Sequence, residues 1–168
     1  MQWWEYILEV LGIIGTVISV IGAYKSVKYY KKSKHITLMM NTKNALLEIQ
    51  KISMTMVEVL KLSNANIPRG KSIANILAKN GMEISESIQK IKDNLSAEEM
   101  CRVQSILHQR DFDCQTFINT FISGEMIEIV DGKERFKHDQ DFETCQNRFN
   151  EIFRYLKELV EDHEKKLT

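Results

Sequence analysis

Residues 7–24 read ILEVLGIIGTVISVIGAY, a run whose single charge, Glu9, lies near its outer end. As a helix rising about 1.5 Å per residue, it would span roughly 27 Å, close to the hydrocarbon thickness of a bilayer. Trp3, Trp4 and Tyr6 precede the run, and Tyr24, Tyr29 and Tyr30 follow it. Aromatic rings on both sides are the pattern of residues that sit at the two membrane–water interfaces. A buried core helix has no need of adjacent tryptophans at one end and lysines at the other, so the run reads as a transmembrane helix.

The flanking charge is one-sided. Lys25, Lys28, Lys31, Lys32 and Lys34 follow the run, and no Lys or Arg precedes it. A cleaved leader has the reverse order, with positive charge first and small residues at a cut site afterwards. The segment is therefore expected to stay, with its N-terminus outside and the bulk of the chain in the cytoplasm. The same lysines form a basic cluster suited to anionic lipid headgroups, worth about 1 kcal/mol each near a charged surface.

Within the run the small residues are ordered. Gly12, Gly15, Ser19 and Gly22 recur at helical spacing, with Glu9 and Thr16 on or beside the same stripe and large aliphatic residues opposite. Small residues let neighbouring backbones approach in a membrane, and a carboxylate there seldom faces lipid. Two arrangements fit: a tight seam between copies, or a ring of helices whose polar stripe lines a water-filled centre. Either makes the chain its own partner.

The remainder, residues 36–168, is expected to form one cytoplasmic unit. The whole chain has 168 residues, with Lys+Arg 23 balancing Asp+Glu 23, which excludes a strongly basic nucleic-acid binder. Hydrophobic residues at 43% and charged residues at 27% exclude a disordered tail. One proline and seven glycines leave too little turn chemistry for a sandwich or barrel. The fold class is accordingly all-α: a transmembrane helix followed by an antiparallel helical bundle with a small β-hairpin.

The apolar periodicity predicts four long helices. The first, over 36–62, continues the membrane helix or follows a short break, and a loop follows over 63–70. The second runs from Ile73 to Leu95. Ser96-Ala97-Glu98-Glu99 is a capping box that starts a third, expected to continue to Gly124. Met126 to Lys137 holds an Asp131-Gly132 pair suited to a two-residue hairpin turn. Asp139 or Asp141 then caps a last helix.

Chemistry-bearing patterns are sparse. Cys101, Cys114 and Cys145 are far apart and lack the close pair that starts a zinc site, so no metal and no cofactor are expected. Arg102 and His108 have Arg-x5-His spacing, within the Arg-x4-6-His signature of helical HEPN ribonucleases. In such a site a cation stabilises phosphorane charge and an imidazole moves protons. Six residues on a regular helix turn about 240°, so these two side chains should point apart. The signature is degenerate here, with Val103 where a polar residue is usual, and a solvated helix face accounts for the same residues without catalysis.

A short N-terminal span, a lysine-rich junction and a helical bundle carrying Arg102 and His108 together resemble the small membrane accessory proteins of type VI-B CRISPR systems. The resemblance covers the layout of the whole chain. It implies a HEPN-like bundle and a homo-oligomeric pore in the bacterial inner membrane that supports antiphage defence by depolarisation. It also implies an RNA-guided RNase as a functional partner and no necessary catalysis. Two other readings stand beside it: a membrane effector gated by a cyclic oligonucleotide, and a membrane-tethered HEPN ribonuclease.

Overall fold

The computed structural model describes residues 3–63, 72–109, 112–130 and 132–166. Its first element, α1, runs without a break from Trp3 to Lys61, 59 residues and roughly 88 Å of helix. No proline interrupts it, and several of its hydroxyl side chains bond to carbonyls one turn back. Thr16 Oγ1 donates to the Gly12 carbonyl at 2.8 Å and Ser19 Oγ to the Gly15 carbonyl at 2.9 Å. The junction left open by the sequence is thus continuous helix.

Two halves of α1 differ in their surroundings. Every residue from 11 to 34 is exposed. Beyond His35 one face buries, through Ala45, Ile49, Ile52, Met56 and Val59, alternating at four and three residues as a single-sided stripe requires. The expected loop at 63–70 lies outside the described residues except for Ser63, which closes the helix end by bonding to the Leu60 carbonyl.

Helix α2, Ile73–Asn94, packs on α1. Glu58 of α1 and Leu62 just after it flank the same groove as Ser72, Asn75 and Ile76 at the start of α2. Glu48 and Lys51 act electrostatically on Lys90 and Glu86 near the end of α2, so the two helices run antiparallel. The first backbone N–H of α2, at Ile73, donates to Glu134 Oε2 at 3.3 Å across 61 residues, which helps a helix start whose Ser72 makes no side-chain cap.

The segment 96–124 departs from expectation. It is two helices, α3 (Ala97–Leu107) and α4 (Cys114–Ser123), joined by two short paired strands, β1 (His108–Gln109) and β2 (Phe112–Asp113). The start of α4 shows the competing interaction. The Asp113 carboxylate accepts from the Gln115 N–H at 2.8 Å and the Thr116 hydroxyl at 2.7 Å, capping a new helix rather than continuing the old one. The capping box at Ser96 forms as read: Ser96 N–H donates to Glu99 Oε2 at 2.8 Å, and Glu99 N–H to Ser96 Oγ at 3.4 Å. Gly124 ends α4 in the left-handed region at φ 80, which glycine adopts without Cβ strain.

A hairpin of β3 (Ile127–Val130) and β4 (Lys133–Phe136) follows, with Ile127 opposite Phe136 and Val130 opposite Lys133. Gly132 in its turn has φ 72; Asp131 lies outside the described residues. Asp139, not Asp141, then caps α5 (Gln140–Lys165) by accepting from the Phe142 N–H at 3.1 Å. Helix α5 lies against α1, α3 and α4. At the centre, Phe121 stacks with Phe142 at 6.3 Å and meets Phe117 and Phe136 edge-on at 5.4 and 6.0 Å. The result is a mostly helical fold with a small two-stranded hairpin and one protruding apolar helix.

Candidate functional site

Residues 11–34 of α1 are exposed throughout. The apolar stretch of this helix is long and apolar enough to cross a membrane by length and composition, and none of that stretch is buried. Leu11, Ile13, Val17, Ile18 and Val20 are each more than half exposed. Transfer of such side chains from water is favourable by about 1.5–3 kcal/mol apiece, so an uncovered run of them needs an apolar environment.

Glu9, Gly12, Gly15, Thr16, Ser19 and Gly22 all lie on this exposed helix. The glycines are open in a specific sense. A Cβ built at Gly12, Gly15 or Gly22 meets nothing within 4 Å. Gly81 in α2 is the opposite case, with Ile122 Cγ1 at 2.9 Å from its built Cβ, Phe121 Cβ at 3.2 Å and the Ile118 carbonyl at 3.3 Å. The chain itself uses Gly81 for close packing and does not use the three in α1.

Where the apolar stretch ends, Lys25, Lys28 and Lys32 share one side of α1 with Tyr24 and Tyr29, lining a groove that continues up to Val20 and Ile21. Lys31 and Lys34 extend the cluster around the helix to about half of its circumference and leave the other half without lysine. Exposed lysines thus follow the apolar stretch, with tyrosines between them.

The Arg102–His108 pair is arranged differently from either expectation. Arg102 is exposed on α3, close enough to Tyr155 of α5 to act on its phenol electrostatically. His108 is not on that helix, because α3 ends at Leu107 and His108 begins β1. Its Nδ1 lies 3.1 Å from Asp113 Oδ1, the carboxylate that caps α4. Partial burial pulls the Asp113 carboxyl up, but bonds from Thr116 and the Gln115 N–H, with the His108 charge, hold it below the ordinary aspartate value. The divergence argument from a regular helix therefore does not apply; His108 is turned toward a local acidic partner instead.

The chain matches no family model, no curated protein and no solved structure.

Cys114 and Cys145 are fully buried, and burial followed by the neighbouring Cys114 pushes the Cys145 thiol far up, which keeps it protonated; Cys101 is exposed. Among the described residues no group of three or more His, Cys, Asp or Glu is placed to hold a metal. Two pairings gave no sequence signal because their partners lie far apart in the chain. His163 Nε2 of α5 sits 3.6 Å from Glu99 Oε1, and Arg148 of α5 donates to Gln109 of β1. Burial raises the Glu99 carboxyl, and the Ser96 hydroxyl, the Ser96 N–H and His163 together outweigh it, leaving Glu99 below its ordinary value.

Proposed function

We propose that this chain is the subunit of a homo-oligomeric membrane pore or effector in bacterial antiphage defence, acting by depolarisation of the inner membrane. The protruding half of α1 spans the bilayer with its N-terminus outside. Lys25, Lys28, Lys31, Lys32 and Lys34 hold the cytoplasmic headgroups, and the bundle stands in the cytoplasm. The observation that carries the reading is the uniform exposure of α1 from residue 11 to residue 34, apolar first and basic afterwards. Support for self-association comes from Gly12, Gly15 and Gly22, where a built Cβ meets nothing within 4 Å and another backbone has room to approach. One helix cannot conduct, so conduction needs several copies, with the polar stripe inward and Glu9 at its mouth favouring cations. No enzymatic step is part of this function. The layout it shares with the accessory proteins of type VI-B CRISPR systems suggests an RNA-guided RNase as the companion that triggers it.

The test is membrane potential, followed by dye in cells with the defence system triggered, alongside oligomer size in detergent. Gly15→Leu is expected to reduce oligomer size and abolish depolarisation. A Cβ at Gly15 meets nothing within 4 Å, so the substitution lies away from the packing of the bundle. Glu9→Gln is expected to keep the oligomer and change the ion preference. A wild-type protein that never depolarises cells would end the pore reading and leave α1 as an anchor.

A further inference from the structure

The continuity of α1 allows its two halves to be compared in phase. Starting from Gly12 and stepping by seven residues gives Ser19, Ser26, Ser33, Met40, Leu47 and Met54. Gly12 and Ser19 belong to the small-residue stripe of the apolar half. The last three are the outward ridge of the cytoplasmic half, exposed by 57%, 62% and 69% in a region where the opposite face of α1 is fully buried. Ile36 and Val57, which flank that ridge, lie in one seven-residue series with Gly15, Gly22 and Tyr29. Large apolar residues are thus placed where the bundle cannot reach them, on the line that the glycines begin.

The lysines give an independent indication of what lies against this line. Lys25, Lys28, Lys31, Lys32 and Lys34 occupy half of a ten-residue stretch, yet none falls on the ridge or on the positions either side of it. Those positions hold Ser26, Tyr29, Tyr30 and Ser33 instead. A neutral strip through a dense lysine cluster is what a neighbour carrying the same cluster at the same height requires, since like charges face to face are repelled. In a bilayer every copy of a spanning helix also points the same way, so copies meet parallel and in register.

We infer that α1 is one uninterrupted self-association seam, from Gly12 in the apolar half to Val57 beside the bundle, and that its occupant is α1 of a second copy of this chain. The inference rests on the proposed membrane assembly and extends it. Close backbone approach at the glycines sets the spacing at one end, and Met40, Leu47 and Met54 pack against their neighbours at the other. A strict seven-residue step on a helix of 3.6 residues per turn drifts by about 20° each time, so the copies follow the seam by a left-handed crossing of roughly 20°. The bundles are carried on the outside of the resulting column. Of the lysines on flanking positions, Lys43 is drawn aside to Glu164 of α5 at 2.7 Å, and Lys51 lies near enough to Glu86 of α2 to act on its carboxylate.

Site-specific cross-linking of the full chain in native membranes tests this, with exposed Cys101 changed to Ser as background. Single cysteines are placed by Ser19→Cys and Leu47→Cys, with Lys79→Cys and Glu161→Cys as exposed controls away from the seam. Oxidation is expected to give a strong dimer band for both seam positions, at least tenfold above the controls. Cross-linking at Ser19 but not Leu47 would overturn the extended seam while leaving the membrane assembly standing. Cross-linking at Leu47 but not Ser19 would overturn the shared phase. Neither cross-link would remove both the seam and the assembly, and equal bands at the controls would show collision rather than an interface. Ion leakage is not needed for any of these readouts, so a chain that assembles without conducting would still be recognised.

Discussion

Gly81→Ala is the sharpest test of how the bundle packs, because two opposing effects can be weighed against each other. In the interior of a helix, glycine to alanine normally stabilises by about 1 kcal/mol, since glycine loses more backbone freedom on folding. At position 81 the new methyl would stand 2.9 Å from Ile122 Cγ1, 3.2 Å from Phe121 Cβ and 3.3 Å from the Ile118 carbonyl oxygen. Ile122 is partly exposed and can rotate away. The other two atoms are fixed to the backbone of α4, and Phe121 is held by Phe117, Phe136 and Phe142. Helices α2 and α4 must therefore separate by a few tenths of an ångström, and overpacking of this kind costs about 1–3 kcal/mol. The two effects leave a net loss of about 1 kcal/mol, which lowers the melting temperature by about 2–4 °C. The assay is thermal denaturation of the detergent-solubilised chain by circular dichroism. Gly15→Ala, whose methyl meets nothing in the chain, serves as the control and should not lower the bundle's melting point. A Gly81→Ala protein that melts at or above wild type would refute the close approach of α2 and α4.

The capping box at the start of α3 makes a pH-dependent contribution. Ser96→Ala is expected to cost about 1 kcal/mol in urea denaturation. Glu99 is held below its ordinary value, so its contribution is fully present above roughly pH 4.3 and is lost as the pH falls through the folded pKa. Glu99→Gln should flatten that part of the acid dependence; an unchanged slope would mean the carboxylate is not stabilised by Ser96 and His163. For Arg102 and His108, the purified protein is expected not to cleave RNA, because His108 has left the helix of Arg102 and pairs with Asp113. Reproducible cleavage by wild type that disappears in both Arg102→Ala and His108→Ala would instead establish a ribonuclease.

Much of this architecture follows from residues close together in the chain. The Ser96 and Asp139 caps, the left-handed Gly124 and the hairpin before α5 are settled within a few positions by side chains that satisfy or end a backbone ladder. The apolar content of 7–24 and the lysines after it are equally local, as is the stripe of Gly12, Gly15, Ser19 and Gly22. The misreading at 108–113 has the same origin in reverse. Apolar spacing alone joins Leu107 to Cys114 and Phe117, and does not register that Asp113 can cap a helix of its own. Other features depend on which elements meet. The contact of Gly81 with α4, the meeting of Glu99 with His163 and the bond from Glu134 to the start of α2 join residues brought together only by packing. Above all, the sequence alone cannot tell whether α1 keeps its phase through the lysine cluster or which face the bundle claims. Periodicity gives each half of α1 a stripe, but their alignment requires an unbroken helix, and the outward direction exists only once α2 and α5 have covered the other side.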